Sequence, residues 1–181
     1  MRRRRWPLLP RDPRGVARLV ARATGLRAEV LGGSLVLTRT DCPVRAETVR
    51  RVADAFTGSF TGDADWEAVE GCPVEMPLDA DDVAVPDLVV RSPAAGGRPV
   101  LAVEVVPRGE KGSGLAGKAE WYAVAHLPFL LVLDPREAAW SLRSRSGGAR
   151  FACVRRGAYG EEVDLPAPLG RALPTAGLPV H

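Results

Sequence analysis

Helical and extended hydrophobic patterns alternate along this chain and predict an α/β fold. Apolar residues recur every three or four positions in the helical segments, and short valine- and leucine-rich runs bounded by glycine or proline mark the strands. The predicted helices are residues 15–24, 44–60 and 113–125. The predicted strands are residues 28–31, 34–38, 66–69, 74–76, 83–90, 100–106 and 129–133, with more short strands between 140 and 163 and a Pro-rich tail after them. Gly32-Gly33 predicts a tight hairpin turn between the first two strands.

Length and charge divide the chain into a basic tail and one domain. With 181 residues and 46% hydrophobic content, the chain is the size of one domain that buries its own core. Residues 1–14 contribute +5 to a net charge of +3, which leaves −2 for residues 15–181. We therefore predict a basic, flexible N-terminal tail over 1–14 and a single domain over 15–181. A local groove or the arginine tail could still bind phosphates. The arginines of the second helix, Arg45 among them, are expected on its solvated face.

Cysteine usage and the absence of long apolar runs predict a cytoplasmic protein. The three cysteines are odd in number and form no CxxC pattern, which favours reduced thiols over disulfides or a zinc site. With two histidines in the chain, any metal is expected to have oxygen ligands. No apolar run approaches the ~20 residues of a membrane span, so no membrane partner is expected.

Asp87 and Glu104 are acids inside two strongly apolar strands. If these strands form a hairpin centred between Ala95 and Gly96, Asp87 lies directly opposite Glu104. Both strands are apolar on both faces, which predicts a covered position in the sheet. Two buried, facing carboxylates need a cation or a shared proton. The alternative is a register shifted by one or two residues, with one acid turned towards solvent.

Lys118 is a candidate for that cation. It is one of two lysines in a chain with 23 arginines. A lysine ammonium is a compact charge that can release a proton, whereas a guanidinium stays charged. The helix of residues 113–125 follows Glu104 after a short connection and can return over the sheet with Lys118 facing it.

Two acids, a lysine and oxygen ligands predict a site for Mg²⁺, with Mn²⁺ as a substitute. Such a site suits phosphodiester hydrolysis, because the ion polarises the phosphoryl oxygen and activates a bound water while the lysine orients that water or stabilises developing charge. Glu29 could add a ligand or position the water. From its spacing alone, Glu29 fits an exposed strand position equally well.

The spacing of these residues resembles a known family. The matching residues are Pro86-Asp87, Glu104-Val105, Lys118, Tyr122, Leu127-Pro128 and Val132-Leu133-Asp134-Pro135. They resemble the Uma-two family, a group assigned to restriction endonucleases within the PD-(D/E)xK nuclease superfamily. Glu29 followed four residues later by Gly33 resembles the early strand turn of that family. The similarity spans about residues 26–179.

The resemblance implies a restriction-endonuclease-like core, with a mixed central β-sheet flanked by α-helices. It implies Mg²⁺-dependent cleavage of DNA and a homodimer. The catalytic residues would be Asp87, Glu104, Lys118 and Glu29, and the metal would bind at Asp87, Glu104 and Val105.

Two functional hypotheses follow. The first is a metal-dependent endonuclease that hydrolyses DNA phosphodiester bonds, and the presence of both acids and the lysine favours it. The second is a catalytically weakened nuclease-fold protein that binds DNA or protein. Pro107 and Gly114 favour the second, because the family usually has a serine and an acidic residue at these positions. A purely structural protein would explain neither the buried acids nor the lysine.

Overall fold

The computed structural model describes residues 10–57, 66–93, 96–109, 113–145 and 150–181. The helices are α1 (Pro13–Thr24), α2 (Pro43–Thr57) and α3 (Ser113–Val124). The strands are β1 (Arg27–Leu31), β2 (Ser34–Thr38), β3 (Glu67–Glu70), β4 (Val74–Glu75), β5 (Val83–Ala84), β6 (Leu88–Arg91), β7 (Pro99–Val105), β8 (Phe129–Asp134), β9 (Ala139–Arg145), β10 (Phe151–Ala158), β11 (Val163–Leu165) and β12 (Arg171–Leu173). Within these described ranges, no helix combines the length and the apolar character needed to cross a membrane.

A six-stranded sheet with the order β10-β9-β8-β7-β6-β3 forms the centre of the fold. β7 and β8 are parallel, and the other neighbours are antiparallel. A parallel pair needs a crossover connection, which α3 provides. α2 covers one face of the sheet through Val52 and Phe56, and α3 covers the other through Trp121 and Tyr122. The predicted mixed sheet flanked by helices is therefore confirmed.

A second sheet, with the order β2-β1-β5-β4, lies beside α1. Its β1–β2 hairpin turns at Gly32 and Gly33, as predicted, and both glycines have positive φ angles of 56° and 72°. Glycine adopts this left-handed conformation without a steric penalty. The side chain of Asp82 accepts hydrogen bonds from both glycine N–H groups, at 2.7 and 2.9 Å. The loop that contains Asp82 therefore fastens the hairpin to the sheet.

The segment 83–90, predicted as one strand, is two strands in different sheets. β5 belongs to the four-stranded sheet and β6 to the six-stranded sheet. Between them, Pro86 has no N–H to donate to a ladder, which favours a break in pairing at this point. The correction matters for the site, because it places Asp87 at the junction of the two sheets.

The Pro-rich segment after residue 163 was expected to be a tail, and that prediction is wrong. β11 pairs with β12, and the leucines between the prolines are buried in the core beside α2. They are Leu165, Leu169, Leu173 and Leu178. Burial of these side chains stabilises the segment against the rest of the fold.

The first helix begins earlier than predicted, at Pro13, because Asp12 caps it. The Asp12 carboxylate accepts a hydrogen bond from the Gly15 N–H at 2.6 Å. Arg14, which was assigned to the tail, lies in α1 and pairs with Glu75 at 3.0 Å. Residues 1–9 lie outside the described residues, so a flexible tail there stays a prediction, as does the single domain.

We expect Gly157→Ala to destabilise the fold. Gly157 lies opposite Trp140 in the β9–β10 pair, and a Cβ at this glycine would be 2.6 Å from the indole Cζ2. The overpacking should lower the free energy of unfolding, measured by urea denaturation, by about 1–3 kcal/mol. The control is Gly117→Ala on α3, where a Cβ meets open space. That substitution should raise the same free energy by about 0.5–1 kcal/mol, so a loss in both variants would contradict the expected clash.

Candidate active site

The two predicted acids lie opposite each other at the start of β6. Leu88 pairs with Val103 and Val89 with Ala102, and the same register brings Asp87 opposite Glu104. The Asp87 N–H donates to the carbonyl of Val103 at 3.1 Å, which continues the pairing beyond the end of β6. Asp87 is 3% exposed and Glu104 is 5% exposed. The predicted register is confirmed, and the alternative with one acid in solvent is wrong.

Lys118 joins two of the acids. Its Nζ lies 2.9 Å from Oε1 of Glu104 and 2.9 Å from Oε1 of Glu29. Glu29 has no exposed surface, so the alternative of an exposed strand glutamate is wrong. Its Oε1 also accepts a hydrogen bond from the Val85 N–H at 2.7 Å, while its Oε2 is buried and has no hydrogen-bond partner in the described part of the chain. The ammonium group of Lys118 on α3 therefore connects β1, through Glu29, with β7, through Glu104.

Asp87 has a different set of partners. Its Oδ1 accepts from Nε of Arg45 at 2.6 Å and also contacts Nη2 of the same guanidinium. Nη1 of Arg27 lies 2.7 Å from this oxygen. Oδ2 accepts from the Val105 N–H at 2.7 Å. Both oxygens of this buried carboxylate are thus engaged, by two cations and one backbone donor.

Tyr122 orients Glu104. It follows Lys118 by four residues, so the two side chains lie on the same face of α3. The fully buried Tyr122 hydroxyl donates to Oε1 of Glu104 at 2.5 Å. Oε1 of Glu104 therefore accepts hydrogen bonds from both Tyr122 and Lys118. Oε2 of Glu104 accepts no hydrogen bond from any residue that the structure describes.

The surroundings shift the pKa values of the two facing acids in opposite directions. Burial alone would raise the pKa of Asp87, but the charges of Arg27 and Arg45 and the hydrogen bonds from Arg45 and the Val105 N–H outweigh it, and the pKa is lowered. Burial raises the pKa of Glu104, and the charge of Asp87 adds to that effect against the opposing influence of Lys118. Burial, and then the charge of Glu104, raises the pKa of Tyr122 well above its usual value. Asp87 is therefore the ionised acid and Glu104 the better proton acceptor, with Tyr122 a permanent donor.

Three carboxylates and three cations make up this charge cluster. Its members are Glu29, Asp87, Glu104, Arg27, Arg45 and Lys118. A cavity of about 170 Å³ is lined by the two glutamates and Lys118. Another cavity, of about 290 Å³, is lined by Asp87 and Arg45, and Arg27 lines both. The six formal charges cancel, so the cluster is neutral as it stands when all six groups are ionised.

A solved structure has a similar architecture. It is described as the crystal structure of "a putative nuclease belonging to DUF820" from Anabaena variabilis ATCC 29413. The match has a TM-score of 0.67 and covers 84% of this chain and 89% of that chain, at 11% sequence identity. The two chains share one fold. The predicted α/β core is thus confirmed. No family model and no curated protein sequence matches this chain, and membership of the Uma-two family stays a prediction.

The predicted metal ligands do not fit a divalent cation in this arrangement. Asp87 has no free oxygen, because Arg27, Arg45 and the Val105 N–H engage both. Mg²⁺ is usually bound through one or two carboxylates that are open to it, with retained waters. Over the described ranges, no group of three or more acidic, histidine or cysteine side chains is placed to hold a metal ion. A divalent ion at Asp87 would first require the guanidiniums to move.

Sequence reasoning missed Arg27 and Arg45 as members of the site. Arg27 precedes Glu29 by two residues on β1, and this spacing places both side chains on one face of a strand. Arg45 was expected on a solvated face, but it lies in the first turn of α2, where the helix dipole disfavours a cation. A cation in that position indicates an acidic partner elsewhere in the fold, and this signal could have been used.

Asp87→Asn should destabilise the protein far more than Glu104→Gln. The first substitution leaves the guanidiniums of Arg27 and Arg45 buried without their carboxylate, which we expect to cost about 3–5 kcal/mol. The second leaves Lys118 paired with Glu29. Urea unfolding at pH 7, followed by circular dichroism, gives both free energies. Equal losses in the two variants would show that the cluster does not depend on Asp87.

The two acids should also give opposite pH dependences of stability. Because the pKa of Glu104 is raised in the folded protein, Glu104 contributes fully to the free energy of unfolding below the pKa that it has in the unfolded chain, about 4.3. This contribution is lost as the pH rises through the raised pKa. Because the pKa of Asp87 is lowered in the folded protein, Asp87 contributes to the free energy of unfolding above about pH 3.9, its pKa in the unfolded chain. This contribution is lost as the pH falls through the lowered pKa. From pH 7 towards pH 4, unfolding free energies should rise for wild type relative to Glu104→Gln. The advantage of wild type over Asp87→Asn should shrink only below about pH 4.

Proposed function

We propose that this chain is a nuclease that hydrolyses DNA phosphodiester bonds at the charge cluster. The observation that carries the proposal is the placement of Lys118 between Glu29 and Glu104, both buried, at the edge of a cavity. A lysine held among acids in a concave site offers a cation to stabilise a phosphoryl group and carboxylates that can act as a base. The fold shared with a protein described as a putative nuclease supports the same class of activity.

The side chains of the cluster have distinct roles in this proposal. Lys118, which lines the cavity and is 12% exposed, would donate to a phosphoryl oxygen and stabilise the charge that develops there. Glu104 would accept a proton from the attacking water, because its raised pKa makes it a stronger base than an ordinary carboxylate. Tyr122 would hold Glu104 in position and is a positioning residue. Asp87 would set the local charge through its arginines.

The cofactor that we propose is Mg²⁺ or Mn²⁺. Binding of the ion at Asp87 requires that the guanidiniums of Arg27 and Arg45 first move away from this carboxylate. The oxygens that remain without hydrogen bonds from described residues are Oε2 of Glu104 and Oε2 of Glu29. DNA as the substrate and the homodimer belong to the same proposal and are based on the resemblance in sequence. The cytoplasmic location is proposed from the cysteine usage and the lack of long apolar runs in the sequence.

A second candidate function is a weakened nuclease that binds nucleic acid without cleaving it. The engagement of both Asp87 oxygens by arginines and backbone favours this candidate, because such a carboxylate is a poor metal ligand. Pro107 and Gly114 line the cavity beside Lys118. Neither residue has a side-chain oxygen to offer there, unlike the serine and the acid that are usual in the family.

A cleavage assay separates the two functions. Supercoiled plasmid and single-stranded DNA are incubated with the full chain in Mg²⁺ or in Mn²⁺, and the rate of strand breakage is measured. Lys118→Ala should lower the rate by about 100-fold or more, because it removes the donor to the phosphoryl oxygen. Glu120→Ala, two residues along on the exposed side of α3, is the matched control and should cleave like wild type. Breakage at the same background level in all three proteins would reject the nuclease and favour the binding protein.

A further inference from the structure

β2 has an apolar and uncharged edge. It is the end strand of the four-stranded sheet, and among the described residues it pairs with β1 and with no other strand. Leu35, Val36 and Leu37 follow one another along it and are 41%, 37% and 45% exposed. The open side of an edge strand has unpaired N–H and C=O groups, which favour pairing with another chain unless charges or a covering segment prevent it.

The other edge strands that the structure describes all carry at least one charge, which discourages such pairing. β2 carries none from Ser34 to Thr38. The charged residues at the other edges are Glu67 and Glu70 on β3, Glu75 on β4, Arg155 and Arg156 on β10, Asp164 on β11 and Arg171 on β12. β2 therefore lacks the protection that each of the other edges has, and this difference favours a strand that is covered in the working protein.

We propose that β2 pairs with β2 of a second copy of this chain, antiparallel about a two-fold axis at Val36. The pairing would join two four-stranded sheets into one sheet of eight strands. That the chain forms a homodimer at all rests on the proposed function, whereas the surface and the register assigned to it rest on β2. The occupant is a second copy because β2 is complementary to itself in its side chains, its backbone and its neighbouring charges.

The side chains of β2 are symmetric about Val36. The strand reads Ser34-Leu-Val-Leu-Thr38. An axis at Val36 therefore sets Leu35 opposite Leu37 of the second copy and sets the two terminal hydroxyl residues opposite each other. Cross-strand pairs of apolar side chains, and of hydroxyl side chains, stabilise a sheet. A two-fold interface uses the same surface patch twice, so a strand with this symmetry fits its own copy.

The backbone of β2 has the same symmetry. Leu31 and Ser34 flank the two-residue turn and pair with each other, and residues that flank such a turn exchange both of their ladder hydrogen bonds. Bonded and non-bonded pairs alternate along an antiparallel ladder, so Val36 also bonds inward to β1, while the N–H and C=O groups of Leu35 and Leu37 point to the free edge. Leu35 can therefore exchange two hydrogen bonds with Leu37 of the second copy, and the axis repeats this exchange.

The charges next to β2 are complementary across the axis. A two-fold axis is unfavourable where it places a charge directly opposite its own copy. Arg39, whose side chain is 80% exposed, falls instead opposite Gly33 of the second copy, the turn residue whose N–H donates to the carboxylate of Asp82. A Cβ at Gly33 would meet open space, so this turn leaves room for the arginine. A cation of one copy thus approaches the acidic end of the hairpin of the other.

The pairing also relates the two candidate active sites. Glu29 pairs with Val36 in the hairpin, so their side chains lie on one face of the sheet, and Val36 and Thr38 line the cavity of about 170 Å³ together with Lys118. Val36 of the second copy falls beside this cavity. Two β1 strands that are three strand spacings apart set the Cα atoms of the two Glu29 residues about 14 Å apart. Both clusters therefore open on the same face of the extended sheet.

Sedimentation velocity of the full chain measures the dimer. Interfaces smaller than about 1,200 Å² are typical of weak association, and three apolar side chains per copy indicate a dissociation constant on the order of 10 µM. Leu35→Lys should raise it by about 10-fold or more, because the axis repeats the substitution. Val180→Lys, the same type of change at a 54% exposed side chain outside β2, is the matched control and should dimerise like wild type.

Mixtures of variants test the register. Leu35→Lys combined with Leu37→Glu places a lysine opposite a glutamate in the mixed dimer. This mixture should restore the dimer at a concentration where each variant alone is monomeric, since opposite charges in a cross-strand pair attract. Leu35→Lys combined with Leu35→Glu has the same charges at positions that do not face each other, and it should restore less dimer.

A disulfide tests the position of the axis. Val36→Cys should form an intermolecular disulfide under mild oxidation, because a non-hydrogen-bonded antiparallel pair brings the two Cα atoms to about 4.5 Å, within the range of this bond. Leu35→Cys faces a leucine of the second copy and should cross-link far more slowly. Wild type under the same oxidation reports any cross-link through its native thiols.

Each outcome supports or overturns the interface independently of the cleavage assay. Wild type that stays monomeric up to about 200 µM overturns it, as does a dimer that Leu35→Lys leaves unchanged. Equal restoration by both mixtures, or equal cross-linking of Val36→Cys and Leu35→Cys, overturns the register. A monomer whose Leu35 and Leu37 amides resist hydrogen exchange would place another segment on the edge and reject the second copy. A β2 dimer that breaks no DNA supports the interface and rejects the nuclease, whereas cleavage by a monomer does the reverse.

Discussion

The buried carboxylate of Asp87 is the constraint on which the site depends. It lies where the chain passes from the four-stranded sheet to the six-stranded sheet, and its partners come from three elements. Arg27 belongs to β1, Arg45 to α2 and the Val105 N–H to β7. A buried ionised group must be paired with opposite charges or hydrogen-bond donors. The pairing of Asp87 is therefore required both for folding and for the geometry of the site. The sheets and α2 are held in register by the group that a nuclease would use.

The charge cluster is asymmetric, and this asymmetry gives its two facing acids different proton affinities. Around Asp87, two guanidiniums fix one ionised acid, and its pKa falls. Around Lys118, one ammonium is shared by Glu29 and Glu104, and the pKa of Glu104 rises. Facing acids with pKa values shifted apart are the usual basis for dividing proton-transfer roles between like residues. The cluster is neutral in sum, yet its two halves respond differently to a proton or to an anion.

The sequence predicted the contacts that follow from short-range strand and helix geometry and missed those that depend on tertiary packing. Strand periodicity and the hairpin register located Asp87 opposite Glu104, and helix spacing placed Lys118 above them, because these are short-range rules. The break between β5 and β6 and the engagement of Arg45 depend on how two sheets and α2 pack together. The hydrophobic pattern of α2 is the same whether Arg45 is solvated or buried, and only its position in the first turn, where the helix dipole disfavours a cation, indicated an acidic partner. Burial of the C-terminal leucines was missed for the same reason, since proline content describes the backbone and not what the side chains pack against.

Arg45 is the side chain that weighs most between the two candidate functions, because its guanidinium occupies an oxygen of Asp87. With Arg45 on Asp87, the cavity of about 290 Å³ has a neutral carboxylate–guanidinium pair at its base. Arg27 lines both cavities, and its guanidinium interacts with Asp87 on one side and with Glu29 and Glu104 on the side of Lys118. The pairing that stabilises the fold therefore also limits what Asp87 can offer to a ligand, because both of its oxygens already accept from groups of the protein.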